Sequence, residues 1–402
     1  MLQWDIPSNW GLIRLGDVAP EVSSQVTPKN ETNTTFNYWS LDAISQGQLE
    51  EPQPNYVLGS TISSTCVSFT SEHVLYAKLR PYLNKVIVPS VNGIGSTEWV
   101  VLAPNPSLLD RKYLSYALRT NTFVQHMTES SSGARMPRAR KDVLFDSQIP
   151  IPFPNDPAHS LETQKRIVLR LETLLGEVQS ARELQESIEE ETNLLVDAVL
   201  NEIFSSRDQW RGEKRLDELV SIEASLVDPR EPEYSSLPHI YGASIESGTG
   251  RLLEYHSAAE DGMTSSKYLF GPGVVLYSKI RPYLRKVTIA DFKGVCSADM
   301  YPLTVTSEEI LPEFLMWSLL SPEFTEFINA FSLRARIPKV NREQLMAYRM
   351  RYPDINSQKK IAAYIQNWRE EVSEMQHAQN ENAELLHQTE QSLLAQAFRG
   401  EL

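Results

Sequence analysis

A thirteen-residue run returns almost unchanged halfway along this chain. Val74-Leu-Tyr-Ala-Lys78-Leu-Arg80-Pro81-Tyr82-Leu83-Asn-Lys85-Val86 reappears as Val275-Leu-Tyr-Ser-Lys279-Ile-Arg281-Pro282-Tyr283-Leu284-Arg285-Lys286-Val287, ten of thirteen positions identical at an offset of 201. The same offset pairs Arg14-Leu15 with Arg215-Leu216, Phe123 with Phe324, and Ala134-Arg135-Met136-Pro137 with Ala335-Arg336-Ile337-Pro338. An internal repeat of this length governs every later assignment, because each copy must fold as one module. The 402 residues therefore hold two copies of one domain, each long enough to build its own core.

A second repeated unit follows each copy. Gln164-Lys165-Arg166-Ile167 matches Gln358-Lys359-Lys360-Ile361 at an offset of 194, and Phe204 and Phe398 close the two units. Apolar residues recur at alternating steps of four and three: Ile167, Leu171, Leu174, Val178, Ala181 and Ile188 in the first, and Ile361, Ile365, Trp368, Val372 and Met375 in the second. That spacing predicts a heptad seam on a long helix of about 40 residues, roughly 60 Å. Gln185, Thr192, Gln379, Asn382 and Thr389 interrupt the seam, and polar residues at such positions fix the register of a helix pair. Surface helices with narrow apolar stripes are the blander alternative.

The order is then domain 1–157, helix 158–207, domain 208–356, helix 357–402. Short β-rich runs precede helical patterns in each copy, and the Pro-rich stretch at 149–160 breaks the chain before the first helix. The expected class is α+β: two duplicated domains separated by two long antiparallel coiled-coil helices with pseudo-two-fold symmetry.

Charge gives the functional clue, although its total points the other way. There are 38 Lys and Arg against 52 Asp and Glu, a net charge of −14, which argues against long-range attraction to a polyanion. Yet each copy carries two runs without any acid. Lys78, Arg80 and Lys85 lie in one, with Lys279, Arg281, Arg285 and Lys286 in its copy; Arg135, Arg138, Arg140 and Lys141 lie in the other, with Arg334, Arg336, Lys339 and Arg342 in its copy. An Arg fork holds a phosphate or a guanine edge, Lys gives a point charge, and a nearby Tyr (Tyr82, Tyr283) donates to phosphate or packs on sugar. Pro81 and Pro282 fix the backbone that aims them. A strand also shows Lys and Arg to solvent for solubility alone; duplication of both runs weighs against that reading. Arg334 replaces Gly133 in the second copy, so the glycine itself carries little weight.

Catalytic signatures are missing. Ser247-Gly-Thr-Gly250 lacks the Lys of a phosphate-binding loop, no HExxH or GxSxG occurs, and neither a Gly-rich cofactor loop nor an Asn/Asp-Pro-Pro-aromatic motif of a methyltransferase is found. Cys66 and Cys296 are too few for a thiolate zinc site and read as free, mostly buried thiols. The opening MLQWDIPSNW has no secretory pattern and no apolar run reaches a membrane span, so cytoplasm is the expected location, with no membrane partner.

The Pro-rich exits followed by Gln-x-x-Ile, the closing Ala397-Phe-Arg-Gly-Glu-Leu402 and the duplicated domain–helix order resemble the specificity subunit of type I restriction-modification systems, over essentially the whole chain. A longer first exit, with Asn155-Asp156-Pro157-Ala158-His159 inserted, departs from the second. The resemblance implies a non-catalytic reader of double-stranded DNA acting in phage defence, with one target-recognition domain per half of a split target. It further implies a helix pair that spaces the domains and carries two modification (methyltransferase) subunits and restriction/translocase subunits. S-adenosylmethionine, ATP and Mg²⁺ are then expected on those partners and none directly on this chain. A duplicated coiled-coil scaffold that never meets DNA is the competing class, and a self-contained modification enzyme a third.

Overall fold

The computed structural model describes residues 3–49, 51–133, 135–205, 210, 212–222, 225–331 and 338–402. It divides into two compact units, Met1–Leu184 with Asn382–Leu402, and Gln185–Glu381. Each unit thus combines one copy of the duplicated domain with parts of both long helices, Pro157–Ser205 and Ile355–Phe398, where the sequence suggested four consecutive segments.

In the first unit Trp10–Arg14 pairs antiparallel with Gln148–Pro152, closing the domain at its two chain ends. Val74–Ala77 is the centre of an antiparallel sheet between Val86–Ile87 and Trp99–Leu102, fully buried as its continuous apolar run requires. A second sheet runs in the order Gln25–Val26, Cys66–Phe69, Gly93–Ser96, Thr35–Trp39, Asn55–Leu58, with a parallel pairing of Thr35–Trp39 to Gly93–Ser96. The helices Arg111–Arg119 and Asn121–Glu129 cover the first sheet, and the Phe123 ring meets Tyr76 edge-on.

The second unit repeats this plan. Gly212–Arg215 pairs with Arg349–Tyr352, Val274–Ser278 lies between Val287–Ala290 and Met300–Val305, and His239–Ile240 runs parallel to Gly294–Cys296. Pro312–Leu320 and Pro322–Asn329 take the covering place, with Phe324 edge-on to Tyr277. Thr120 and Ser321 cap the second of the paired helices at matching positions, each accepting from the amide three residues on. In place of the paired strand Asn55–Leu58, the second sheet keeps a single antiparallel bridge, Pro238 to Ser257, at the position of Asn37 and Tyr56.

The long helices are fastened by a buried glutamine. Gln164 Oε1 accepts from the Asp110 amide at 2.8 Å while its Nε2 donates to the Leu108 carbonyl at 2.9 Å. Gln358 repeats both bonds, with the Leu311 amide at 2.9 Å and the Glu309 carbonyl at 2.8 Å. Neither side chain is exposed, so their amides satisfy backbone groups that water cannot reach.

Beyond that point each unit packs the two helices antiparallel. In the first, Ile167, Leu171 and Leu175 share a core with Leu394, Ala397 and Phe398, and Arg182 pairs with the buried Glu390 at 3.0 Å. In the second, Leu200 and Phe204 share a core with Ala362 and Ile365, while Gln185 donates to the Gln379 carbonyl at 2.6 Å and Gln379 Nε2 to Thr192 Oγ1 at 3.0 Å. Val372 is buried, and Ile361 and Trp368 are partly so. Three expectations need correction. Leu175 is buried more deeply than the half-buried Leu174, because this stretch packs on the domain as well as on its partner helix and follows the 3.6-residue period instead of a strict heptad. Ile188 and Met375 are exposed, so the apolar seam does not run through the polar centre. Asn382 and Thr389 are exposed too, and Glu390 is the buried polar group there.

Leu175→Ala should lower unfolding free energy by about 2–5 kcal/mol and Leu174→Ala by about half as much or less. Equal losses in urea titrations would restore the heptad reading.

Candidate nucleic-acid interface

The duplicated Lys-x-Arg-Pro-Tyr-Leu-x-Lys motif forms the same projecting turn in both units. Lys78 and Lys279 directly follow the central strand, and the next residues turn through a short 3₁₀ helix, Pro81–Leu83 or Pro282–Leu284. The arginine before each proline is left-handed, with φ 52° at Arg80 and 50° at Arg281, and so are Asn84 (50°) and Arg285 (48°) after the turn. Such backbone costs about 1–3 kcal/mol per residue, and it persists only where the surroundings enforce it. Here the Arg80 amide donates to Pro137 O at 2.7 Å and the Leu83 amide to Arg80 O at 2.9 Å; Arg281 and Leu284 repeat both, with Pro338 O at 2.8 Å.

The motif's cations then separate by role. Lys78 Nζ donates to Thr97 O at 2.8 Å and Lys85 Nζ to Leu41 O at 2.8 Å. Lys279 and Lys286 make the matching bonds, to Ala298 O and, at 2.6 Å, to Gly242 O. The four ammonium groups therefore brace the turn. Burial, with Lys339 nearby, lowers the Lys279 pKa from the ordinary lysine range. Arg80 and Arg281, by contrast, are exposed and have no side-chain partner among the described residues. Tyr82 and Tyr283 stand beside them, 44% and 51% exposed.

The second basic run divides as well. Arg138 forks onto Glu98, with Nη2 at 2.9 Å, and Lys339 takes the matching Asp299 at 3.4 Å. This carboxylate lies at the repeat offset, Glu98 to Asp299, which the sequence could have revealed. Arg140 pairs with Asp142 and holds that carboxyl below its usual range, and Lys141 pairs with Glu21. Arg135 and Arg342 are exposed without a side-chain partner among the described residues. Arg334 and Arg336 lie outside the described residues. Arg285 needs correction as a surface contact: its side chain is 14% exposed and its Nη2 is bound to Asp197 of the first long helix, because the left-handed backbone after the turn points it inward.

Cys66 and Cys296 are buried and unpaired, and burial pushes the Cys296 thiol up to about 12. Among the described residues no helix is long and apolar enough to cross a membrane.

The type I restriction modification DNA specificity domain matches residues 7–190. The type I restriction enzyme EcoDI specificity subunit of Escherichia coli is 30% identical over 330 residues, covering 74% of this chain and 71% of the relative. The chain belongs to the type I restriction enzyme specificity subunits. Its fold is shared with a chain solved in a study of complex assembly and conformational transition in a type I R-M system, with TM-score 0.80, 24% identity and full coverage of both chains. The HsdS subunit from Thermoanaerobacter tengcongensis aligns with TM-score 0.56 and 24% identity, over 99% of this chain and 98% of that one.

As braces in a specificity subunit, Lys85 and Lys286 should matter for stability alone. Lys286→Met is expected to lower unfolding free energy by about 1 kcal/mol and leave the salt dependence of duplex binding unchanged. A log–log salt slope shallower by about one unit would make the lysine a phosphate contact instead.

Proposed function

We propose that this chain is the non-catalytic DNA-reading subunit of a type I restriction-modification complex, each recognition domain addressing one half of a split target. The observation that carries this reading is the pair of matched turns. In each, strained backbone and two lysine braces present an exposed tyrosine and an arginine without a side-chain partner among the described residues. A solubility device would not need enforced left-handed backbone, and a scaffold that never meets DNA would not need the same cation aimed the same way in both copies.

The helix pair serves in this reading as spacer and as platform for two modification subunits, with restriction subunits joining them in the cytoplasm. S-adenosylmethionine, ATP and Mg²⁺ act on those partners. The net charge of −14 assigns much of the non-specific phosphate attraction to the partners as well, since an acidic chain gains little at long range.

Helix length then sets the gap between half-sites. Inserting four helical residues beside Gln185 lengthens the first helix by about 6 Å, close to two base pairs at about 3.4 Å each. A matching insertion near Gln379 keeps the polar contacts in step. Methylome sequencing of a strain carrying that double insertion and the partner subunits should show the two half-sites moved apart by about two base pairs. An unchanged gap overturns the spacer role, and absence of any methylated motif with the wild-type chain overturns the DNA-reading assignment.

A further inference from the structure

The two turns are alike in residue, backbone and bracing, whereas their surroundings are not. Identical groups cannot make the two half-sites differ, so a matched arginine suits what every duplex shares, its sugar-phosphate backbone. Discrimination has to come from side chains that differ at corresponding places beside the turn.

One position meets that requirement in the second unit. Tyr241 follows the strand His239–Ile240 directly. Its neighbour on one side, Gly242, offers the carbonyl that Lys286 binds at 2.6 Å, and the carbonyl of Ile240 on the other side accepts from the Ser297 amide at 2.9 Å. Ser297 and Ala298 form the turn whose Ala298 carbonyl holds Lys279. Tyr241 therefore sits between the supports of both lysine braces. The residue is 40% exposed, and the repeat places Ser40 at the same point of the first unit.

The ring is also held. It stacks on His239 at 5.3 Å with planes 15° apart, and His239 Nδ1 lies 2.8 Å from Asp261 Oδ2. A carboxylate only accepts, so Nδ1 carries the proton and orients the imidazole. His239 is buried, and its Nε2 has no hydrogen-bond partner among the described residues. Burial lowers its pKa from the ordinary value, with Asp261 opposing the shift. The first unit has Tyr38 and Ser60 in place of His239 and Asp261, so nothing there builds the same platform.

We propose that Arg80 with Tyr82 and Arg281 with Tyr283 grip the phosphate backbone alike at both half-sites, and that Tyr241, positioned by His239, is a specificity residue reading a base of the second half-site. This rests on the DNA-reading function above. A rigid aromatic ring with a terminal hydroxyl provides a stacking face and a hydrogen bond at small entropic cost, which suits a base contact made beside a fixed phosphate anchor.

The test uses the complex of this chain with its modification subunits and synthetic 40-base-pair duplexes. One duplex carries the motif that the wild-type complex methylates, and the others carry every single-base change in it. Arg281→Ala should weaken binding to all duplexes by a similar factor and make the salt slope shallower by about one unit. Tyr241→Ala should instead erase a preference of about 5- to 150-fold at one position of the second half-site, leaving the first half-site and the salt slope as in wild type. Tyr241→Phe separates the hydroxyl from the ring: retained preference assigns stacking, lost preference the hydrogen bond. Melting curves and gel filtration of each variant confirm folding and assembly. Discrimination lost at a single position in Arg281→Ala, or an unaltered preference profile in Tyr241→Ala, overturns the proposal while DNA reading stands. An Arg281→Ala variant that binds DNA normally but no longer assembles would make the turn a docking site for the modification subunit, which also overturns it. Failure of the wild-type complex to prefer its motif over any variant duplex would instead sink the DNA-reading function itself.

Discussion

Two buried amides, those of Gln164 and Gln358, hold each long helix to its recognition domain. Each satisfies an N–H and a C=O of the segment that leads into the domain's covering helix, and each does so away from water. Leaving such a pair unbonded costs about 1–3 kcal/mol per group, so the helix cannot rotate or slide on its domain without losing both bonds together. A turn on the domain surface is useful as a reader only if its direction relative to the helix is fixed. The glutamine supplies that constraint inside each unit, and the apolar cores around Leu171 and Ile365 reinforce it.

The same division between supporting and presenting groups recurs at the turns. A cationic motif on an acidic chain would ordinarily collapse onto nearby carboxylates, as Arg138, Arg140, Lys141 and Lys339 do. Arg80 and Arg281 stay exposed at the left-handed start of the turn, while lysines on either side are spent on main-chain carbonyls. The strain is maintained by backbone bonds to Pro137 and Pro338, which belong to the second repeated motif. The two basic runs thus meet at one point: Pro137 and Pro338 hold the Arg-Pro-Tyr segment in place through their carbonyls.

Polar residues in the middle of the helix pair fit the same logic. Gln185, Thr192 and Gln379 bond to one another where apolar packing thins out, and Arg182 meets Glu390. A uniform apolar seam would tolerate a slip by a whole heptad, whereas a side chain that must find one particular carbonyl or hydroxyl does not. Conformational specificity is the gain and some stability is the cost, since Gln185 Oε1 and Gln379 Oε1 remain buried without partners.

Duplication was legible in the residues because it is a property of the string: the offset of 201 located both domains and the cationic motif, and the offset of 194 located both helices and the glutamines. Periodicity likewise announced long helices with a polar centre. The choice of Leu175 over Leu174 was not legible, since it depends on a domain surface packed beside the helix. Nor was the fate of each cation. Lys78 and Arg80 look equivalent in the sequence, yet one bonds a carbonyl nineteen residues away and the other reaches solvent. Arg285 looks like a surface contact until Asp197, 88 residues earlier, is seen against it. Sequence alone settled how many modules there are and which residue types they repeat, because local pattern and repetition need no third dimension. Tertiary structure alone decided which charges are spent and which are free, because a charge is neutralised by whatever the fold brings within about 3 Å of it, and those partners lie far away along the chain.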